Sequence, residues 1–218
     1  MAATKRKKSA TRKPAKKTTK KSAKKAGKKS TKKAPTKKTR VAKKAAKKST
    51  KGRAATVTLG GNPVSLVGTM PKVGTKAPSF RFTANDLREV SNADLRGKRV
   101  ILNIFPSIDT NTCATSTRTF NQLASSLKNT EVWCVSADLP FAQNRFCGAE
   151  GLTNVKTAST FRSDFGKTFG LTLAGSVLQG VLARAVIVLD EKGAITHTEL
   201  VGEIANEPNY QAAIRALG

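Results

Sequence analysis

Val100-Ile101-Leu102-Asn103-Ile104-Phe105-Pro106-Ser107-Ile108-Asp109-Thr110-Asn111-Thr112-Cys113 is the stretch on which the rest of the chain is read. Its first six residues form a nearly unbroken apolar run, the pattern of a buried strand. Residues 114–124 read as a helix. Cys113 therefore sits where a strand-to-helix loop becomes the first helical turn. Unpaired backbone N–H groups point toward that position, and the helix dipole favours negative charge there. A cysteine so placed is favoured as the thiolate, its reactive form.

Outward from this stretch the chain alternates strands and helices. Upstream, Thr56-Val57-Thr58-Leu59 and Val64-Ser65-Leu66-Val67 flank Gly60-Gly61-Asn62-Pro63 and predict a β-hairpin. Residues 80–83 predict a short strand, and 94–98 a turn into the 100–105 strand. Downstream, the apolar run 132–137 predicts a central strand covered on both faces. Asp138 then suits an N-cap, Pro140 a first helical turn, and Gly148 a stop for a short helix that carries Cys147. Residues 154–159 predict a strand and 163–169 a short helix. Residues 185–190 and 195–200 predict a hairpin about Glu191-Lys192-Gly193, and 208–217 a closing helix. This order implies an α/β domain with a central mixed sheet flanked by helices. A cysteine at a strand-to-helix junction, with a later hairpin and helix, is a thioredoxin-like layout. The Cys-x-x-Cys dithiol motif is absent, however.

Charge divides the 218 residues unevenly. Residues 1–53 hold 25 of the 41 Lys and Arg and none of the 13 Asp and Glu; residues 54–218 carry 16 basic and 13 acidic groups, a net +3. The reading is one globular domain, 54–218, preceded by a disordered basic tail, 1–53. Lysine pairs recur every four residues from Lys16-Lys17 to Lys32-Lys33, with Pro14 and Pro35 as interruptions. The tail has no aromatic, Leu or Ile from which to build a core. Its composition resembles the tails of linker histones and bacterial histone-like proteins. Such an arm neutralises phosphates without reading bases, so non-specific DNA or RNA binding that weakens steeply with salt is expected. A solvated extension and a transit peptide are the other readings of the same composition. A basic start without an apolar core is not a secretory signal, and no apolar run is long enough to span a membrane. A cytoplasmic protein, associated with the nucleoid through its arm, is expected. Three cysteines are too few, and odd in number, for a secreted disulfide framework.

Pro106-x-x-x-Thr110-x-x-Cys113 matches the active-site signature of peroxiredoxins. Residues 105–124, 134–151 and 182–190 resemble the bacterial thiol peroxidases, the atypical two-cysteine peroxiredoxins, and the likeness extends over residues 56–218. Asn111 and Thr112 within the signature, the segment 175–180 ahead of Arg184, and the arm are where this chain departs from that pattern. The resemblance implies that Cys113 is the peroxidatic cysteine, attacking a peroxide oxygen to become a sulfenic acid. It implies that Thr110 hydrogen-bonds the sulfur and the peroxide, and that Pro106 shields the sulfur from bulk water. Arg184, in Leu182-Ala183-Arg184-Ala185, corresponds to the active-site arginine that supports the thiolate and the polarised O–O bond. Cys147, in Asn144-Arg145-Phe146-Cys147-Gly148, corresponds to the resolving cysteine, which closes a Cys113–Cys147 disulfide in one chain after local unwinding. Thioredoxin as reductant, a homodimer, and lipid or alkyl hydroperoxides alongside hydrogen peroxide are implied in the same way.

Cys134 lies within an apolar strand and reads as a structural thiol. His197 is the only histidine and has no ligand partner at useful spacing. No cofactor or metal is expected. Against the enzyme stands a second reading: a DNA-compacting, histone-like protein whose peroxidase domain is idle or serves as a redox sensor.

Overall fold

The computed structural model describes residues 55–218; the basic arm read at 1–53, with its expected disorder, lies outside the described residues. The apolar run becomes the central strand β5 (Arg99–Ile104). It pairs in parallel with β6 (Thr130–Ser136), which pairs in parallel with β7 (Lys156–Ser159). On its other side β5 is antiparallel to β9 (Ala185–Leu189), and β9 forms the expected hairpin with β10 (Ile195–Leu200). Two short strands, β3 (Arg81–Ala84) and β4 (Glu89–Ser91), complete a seven-stranded sheet ordered β10-β9-β5-β6-β7-β3-β4. The parallel neighbours require crossovers, supplied by α1 (Asn111–Ala124) and α2 (Pro140–Glu150). The result is the thioredoxin-like α/β fold, a mixed sheet with helices, that the element order implies.

Period-2 alternation sorts the central strands into two cores. Val100, Leu102 and Ile104 of β5, Trp133 and Val135 of β6, and Ala185, Ile187 and Leu189 of β9 face one side. There they meet Phe80, Phe82, Phe165 and Phe169, the last two stacked with ring centroids 4.4 Å apart. Phe165 opens the short helix α3 (Phe165–Thr168). Ile101, Val132, Cys134, Val186 and Val188 face the other side, against Ala114 and Phe120 of α1 and Ala213 of α4 (Tyr210–Arg215). Both faces are therefore apolar, which is why these strands read as continuous hydrophobic runs. Each Val, Leu, Ile or Phe among them contributes roughly 1.5–3 kcal/mol by its burial.

A second sheet, ordered β1-β2-β8, comprises β1 (Thr56–Leu59), β2 (Asn62–Val67) and β8 (Thr172–Ala174). The β1–β2 hairpin forms as expected, with a tighter turn. Leu59 pairs directly with Asn62, so Gly60 and Gly61 alone make the bend, at φ of 58° and 79°. Two successive positive φ values define the primed turn that matches strand twist, and glycine adopts them without strain.

Three local expectations are corrected. Leu139, not Asp138, is the N-cap of α2, because Pro140 occupies the first helical position and the Asp138 carboxylate is engaged elsewhere. Gly148 lies within α2, and the helix ends at Gly151, which takes the left-handed conformation at φ 64°. The closing helix starts at Tyr210 behind the N-cap Asn209, whose side chain accepts from the Ala212 N–H. Strands β4 and β8 were not anticipated; at three residues each they are too short for an alternation to register.

Candidate active site

Cys113 is fully buried and occupies the third position of α1, behind the N-cap Thr110. A threonine at an N-cap ordinarily accepts a hydrogen bond from a backbone N–H of the first turn. Here Thr110 makes no such bond. Its hydroxyl lies 2.8 Å from Cys113 Sγ and 3.2 Å from the Ser107 carbonyl. The hydroxyl proton is thus free to turn to the sulfur whenever the sulfur is ionised.

Arg184 closes the other side. It directly precedes β9, and only 2 % of it is exposed. Its Nε donates to the Ile204 carbonyl at 2.8 Å and its Nη2 to Cys113 Sγ at 3.3 Å. Nη1 is buried with no partner among the described residues. A buried guanidinium without a carboxylate beside it calls for an anion, and the sulfur is where its fork points. Pro106, also buried, lines with Thr110 and Arg184 a cavity of about 230 Å³. Its remaining wall, predominantly apolar, is Leu59, Leu178, Val181, Ile204 and Ala205, with Ser107, Asn111 and Thr112 beside them. Leu178 belongs to the 175–180 segment noted ahead of Arg184, so that segment forms part of the cavity.

Cys147 lies apart from this cluster of donors, in the last turn of α2, half-buried against the same core that holds Cys113 and Cys134. All three cysteines are free thiols. Burial raises the Cys147 thiol above its ordinary value, an effect partly offset by the Thr157 hydroxyl. The helix around it buries only Pro140, Gln143 and Phe146. So few buried contacts make its final turn inexpensive to open. Cys134 is the opposite case. It is fully buried, and that burial pushes its thiol up to about 12, against smaller contributions from Asn103 and Thr117. It is a structural thiol at neutral pH, as its place in β6 suggests. His197 sits at a bulge of β10, and among the described residues no group of three or more His, Cys, Asp and Glu gathers as a metal site.

Sequence reading missed the far wall of the site. Glu203 accepts from the Thr58 hydroxyl at 2.7 Å, from the N–H groups of Gly61 and Gly60 at 3.0 and 3.1 Å, and from the Ala205 N–H at 3.2 Å. It fastens the β1–β2 turn to the segment whose carbonyls hold Arg184, through Ile204, and Thr112, through Ala205 at 3.0 Å. The Gly61 N–H, followed by the Thr58 hydroxyl, depresses the Glu203 carboxyl to about 2. A depressed carboxyl contributes stability that is complete above its unfolded value, near 4.5, and is lost as pH falls through about 2. Wild type is therefore expected to lose hydrogen-exchange protection at Gly60 and Gly61 across that window. Glu203→Gln should show weak protection there at every pH, and identical profiles for the two proteins would refute the clamp.

A thioredoxin-like fold that aims a threonine hydroxyl and an arginine at one buried thiol defines a peroxiredoxin-type enzyme. The Redoxin family model matches residues 72–214. The thiol peroxidase of Mycobacterium tuberculosis (strain ATCC 25618 / H37Rv) is 54% identical over 164 residues, 75% of this chain and 99% of that one. That of Corynebacterium glutamicum is 52% identical over 157 residues, covering 72% and 95%. Among solved structures, a peroxiredoxin-like protein from Aquifex aeolicus superposes with a TM-score of 0.71 at 39% identity, over 76% of this chain and 98% of that one. A thiol peroxidase from Chromobacterium violaceum shares the fold, with a TM-score of 0.69 at 20% identity, over 73% and 94%. The chain belongs to the thiol peroxidases of the redoxin family. Among the described residues no helix is long and apolar enough to cross a membrane.

Proposed function

We propose that the chain reduces hydroperoxides at Cys113, and that the convergence of Thr110 and Arg184 on its sulfur is the observation that carries this reading. The Cys113 thiolate attacks one peroxide oxygen. The O–O bond breaks, the sulfur becomes a sulfenic acid, and the other oxygen leaves as an alcohol or water after taking a proton. Arg184 Nη2 holds the thiolate before attack, and the unpaired Nη1 is a donor left for the oxygen on which charge develops. The apolar wall formed by Leu59, Leu178, Val181 and Ile204 suits the carbon chain of an organic hydroperoxide.

Cys147 then attacks the sulfenic sulfur, forming the Cys113–Cys147 disulfide and releasing water. The loosely held end of α2 supports this role, because its thiol must leave its half-buried place and ionise to react. A thioredoxin-type dithiol returns both sulfurs to the thiol state by disulfide exchange. Cys147→Ser is expected to complete one turnover and stop as a stable Cys113 sulfenic acid. Peptide mass mapping after one equivalent of peroxide checks this, and wild type without a Cys113–Cys147 peptide would overturn the pairing.

Residues 1–53 form a basic arm outside the enzyme domain 54–218, and its charge supports non-specific binding to DNA or RNA. The family resemblance supports a cytoplasmic homodimer, and the charge of the arm supports its being held at the nucleoid. Gel shifts at low and high salt, with and without residues 1–53, test it: binding that ignores salt, or that survives loss of the arm, ends it. The charge of the arm also supports the structural alternative, a DNA-compacting protein or sensor. Sustained peroxide consumption with a thioredoxin system excludes that alternative.

A further inference from the structure

Asp138 does not line the cavity and makes no hydrogen bond to the sulfur or to Arg184, yet three donors converge on its carboxylate. Oδ1 accepts from the Ser107 hydroxyl at 2.8 Å. Oδ2 accepts from the Ile108 N–H and the Ser136 hydroxyl, each at 2.7 Å. The directions of these bonds are fixed from behind. Ser136 Oγ accepts from the fully buried Gln143 Nε2 at 2.8 Å, which leaves its own proton for Asp138. The Asp138 carbonyl accepts from the Ser159 hydroxyl. Asp138 is thus fixed to the ends of β6 and β7, and it reaches across to the loop that follows β5. Parallel neighbours make this reach short, because their C-terminal ends lie side by side.

The clamp ends two bonds from the sulfur. The Ser107 carbonyl accepts from the Thr110 N–H at 3.2 Å, and the Thr110 hydroxyl lies 3.2 Å from it with its proton left for the sulfur, so the place of Ser107 sets the place of Thr110. Pro106 is its covalent neighbour. We infer that Asp138 is a positioning residue for peroxide reduction: its carboxylate holds Ser107 and Ile108 so that the Thr110 hydroxyl and Pro106 meet the Cys113 sulfur and the incoming peroxide in register. This rests on the reading of Cys113 as the peroxide-reactive thiol. An amide replaces the carboxylate only in part. Asparagine has a single acceptor oxygen: turned to Ile108 and Ser136, it leaves its NH₂ for the Ser107 hydroxyl, which must then reverse and accept a weaker, uncharged bond. A misplacement of about 1 Å at a reacting pair is enough to slow chemistry on the order of 10²-fold.

The test uses the full-length chain as wild type, Asp138→Asn, Ser107→Ala and the double variant. Two single-turnover rates are followed at Cys113 by peptide mass: oxidation by cumene hydroperoxide and alkylation by iodoacetamide. Alkylation needs an accessible ionised sulfur but no ordered peroxide. Asp138→Asn is expected to slow oxidation by about 10–100-fold while alkylation changes much less. Ser107→Ala should slow oxidation less, and the double variant should be no slower than Asp138→Asn, since the two act through one bond. A folded Asp138→Asn that oxidises at the wild-type rate, or that loses both reactions equally, overturns the inference. If Asp138→Asn does not fold, Ser107→Ala decides, and an unchanged oxidation rate overturns it. A wild type whose Cys113 ignores peroxide overturns the peroxidase reading as well, so the two failures are distinct.

Discussion

Cys113→Ser is expected to abolish peroxide consumption, a loss of at least ~10³-fold, in line with removal of a nucleophile that acts as part of a unit. A serine hydroxyl keeps the shape of the position and can still accept from Thr110 and Arg184. It does not ionise near neutral pH, however, and an uncharged oxygen is a poor nucleophile toward peroxide. Folding should be preserved, because Ser116 and Thr117 in the next turn of α1 are also buried and bond to the Cys113 carbonyl, which the substitution leaves alone. Peroxide loss measured with a thiol reductant in excess checks the effect. Residual turnover above about 1% of wild type would place the chemistry on another thiol. Cys134 could not take that part from its closed position in β6, with its thiol pushed up to about 12.

Arg184→Met carries the second-largest expected effect, a fall of about 10²–10³-fold in the rate of Cys113 oxidation, the scale of losing one preorganised donor at a developing charge. The variant loses two things at once: the Nη2 contact to the sulfur and the Nη1 donor that has no partner among the described residues. Methionine of similar length fills the same buried space, and replacing a buried charge by an apolar side chain is often tolerated. The Ile204 carbonyl loses its donor, so some loosening of the cavity wall is expected. Arg184→Lys is the sharper comparison. It keeps the charge but cannot bond the Ile204 carbonyl and the sulfur together, since an ammonium lacks the rigid fork. Lysine at the wild-type rate would reduce the role of Arg184 to charge alone. Stopped-flow oxidation with the cysteines otherwise intact separates these outcomes.

The 100–105 strand, the helix after Cys113 and the 185–200 hairpin were readable because both faces of the central strands are apolar and their bounds are marked by Pro106 and Gly193. Pro106, Thr110 and Cys113 lie within eight residues, so one loop carries them and one motif exposes them. Arg184 was singled out by the resemblance of Leu182-Ala183-Arg184-Ala185 to the peroxiredoxin pattern. Periodicity and charge alone do not pair it with a sulfur 71 residues away. Asp138 was misread for a related reason. An aspartate two residues before a helical proline fits a cap equally well, and nothing local reveals that its carboxylate serves Ser107 and Ile108 instead.

Sequence alone therefore determined the class of fold, because hydrophobic periodicity reports it, and it marked Cys113 as a candidate nucleophile at a helix start; Thr110 entered through the motif shared with peroxiredoxins. It also showed that residues 1–53 carry a net +25 and residues 54–218 a net +3, because charge is additive along the chain. Tertiary structure alone decided which atoms meet the sulfur from afar. Arg184 is aimed by the Ile204 carbonyl, the cavity wall is fastened by Glu203, and the loop is gripped by Asp138. Each of these is a hydrogen bond between elements brought together only by the pairing of β5 with β6 and β9 and by the docking of the first hairpin. Such bonds need directions and distances, which no pattern of residue types along a chain specifies.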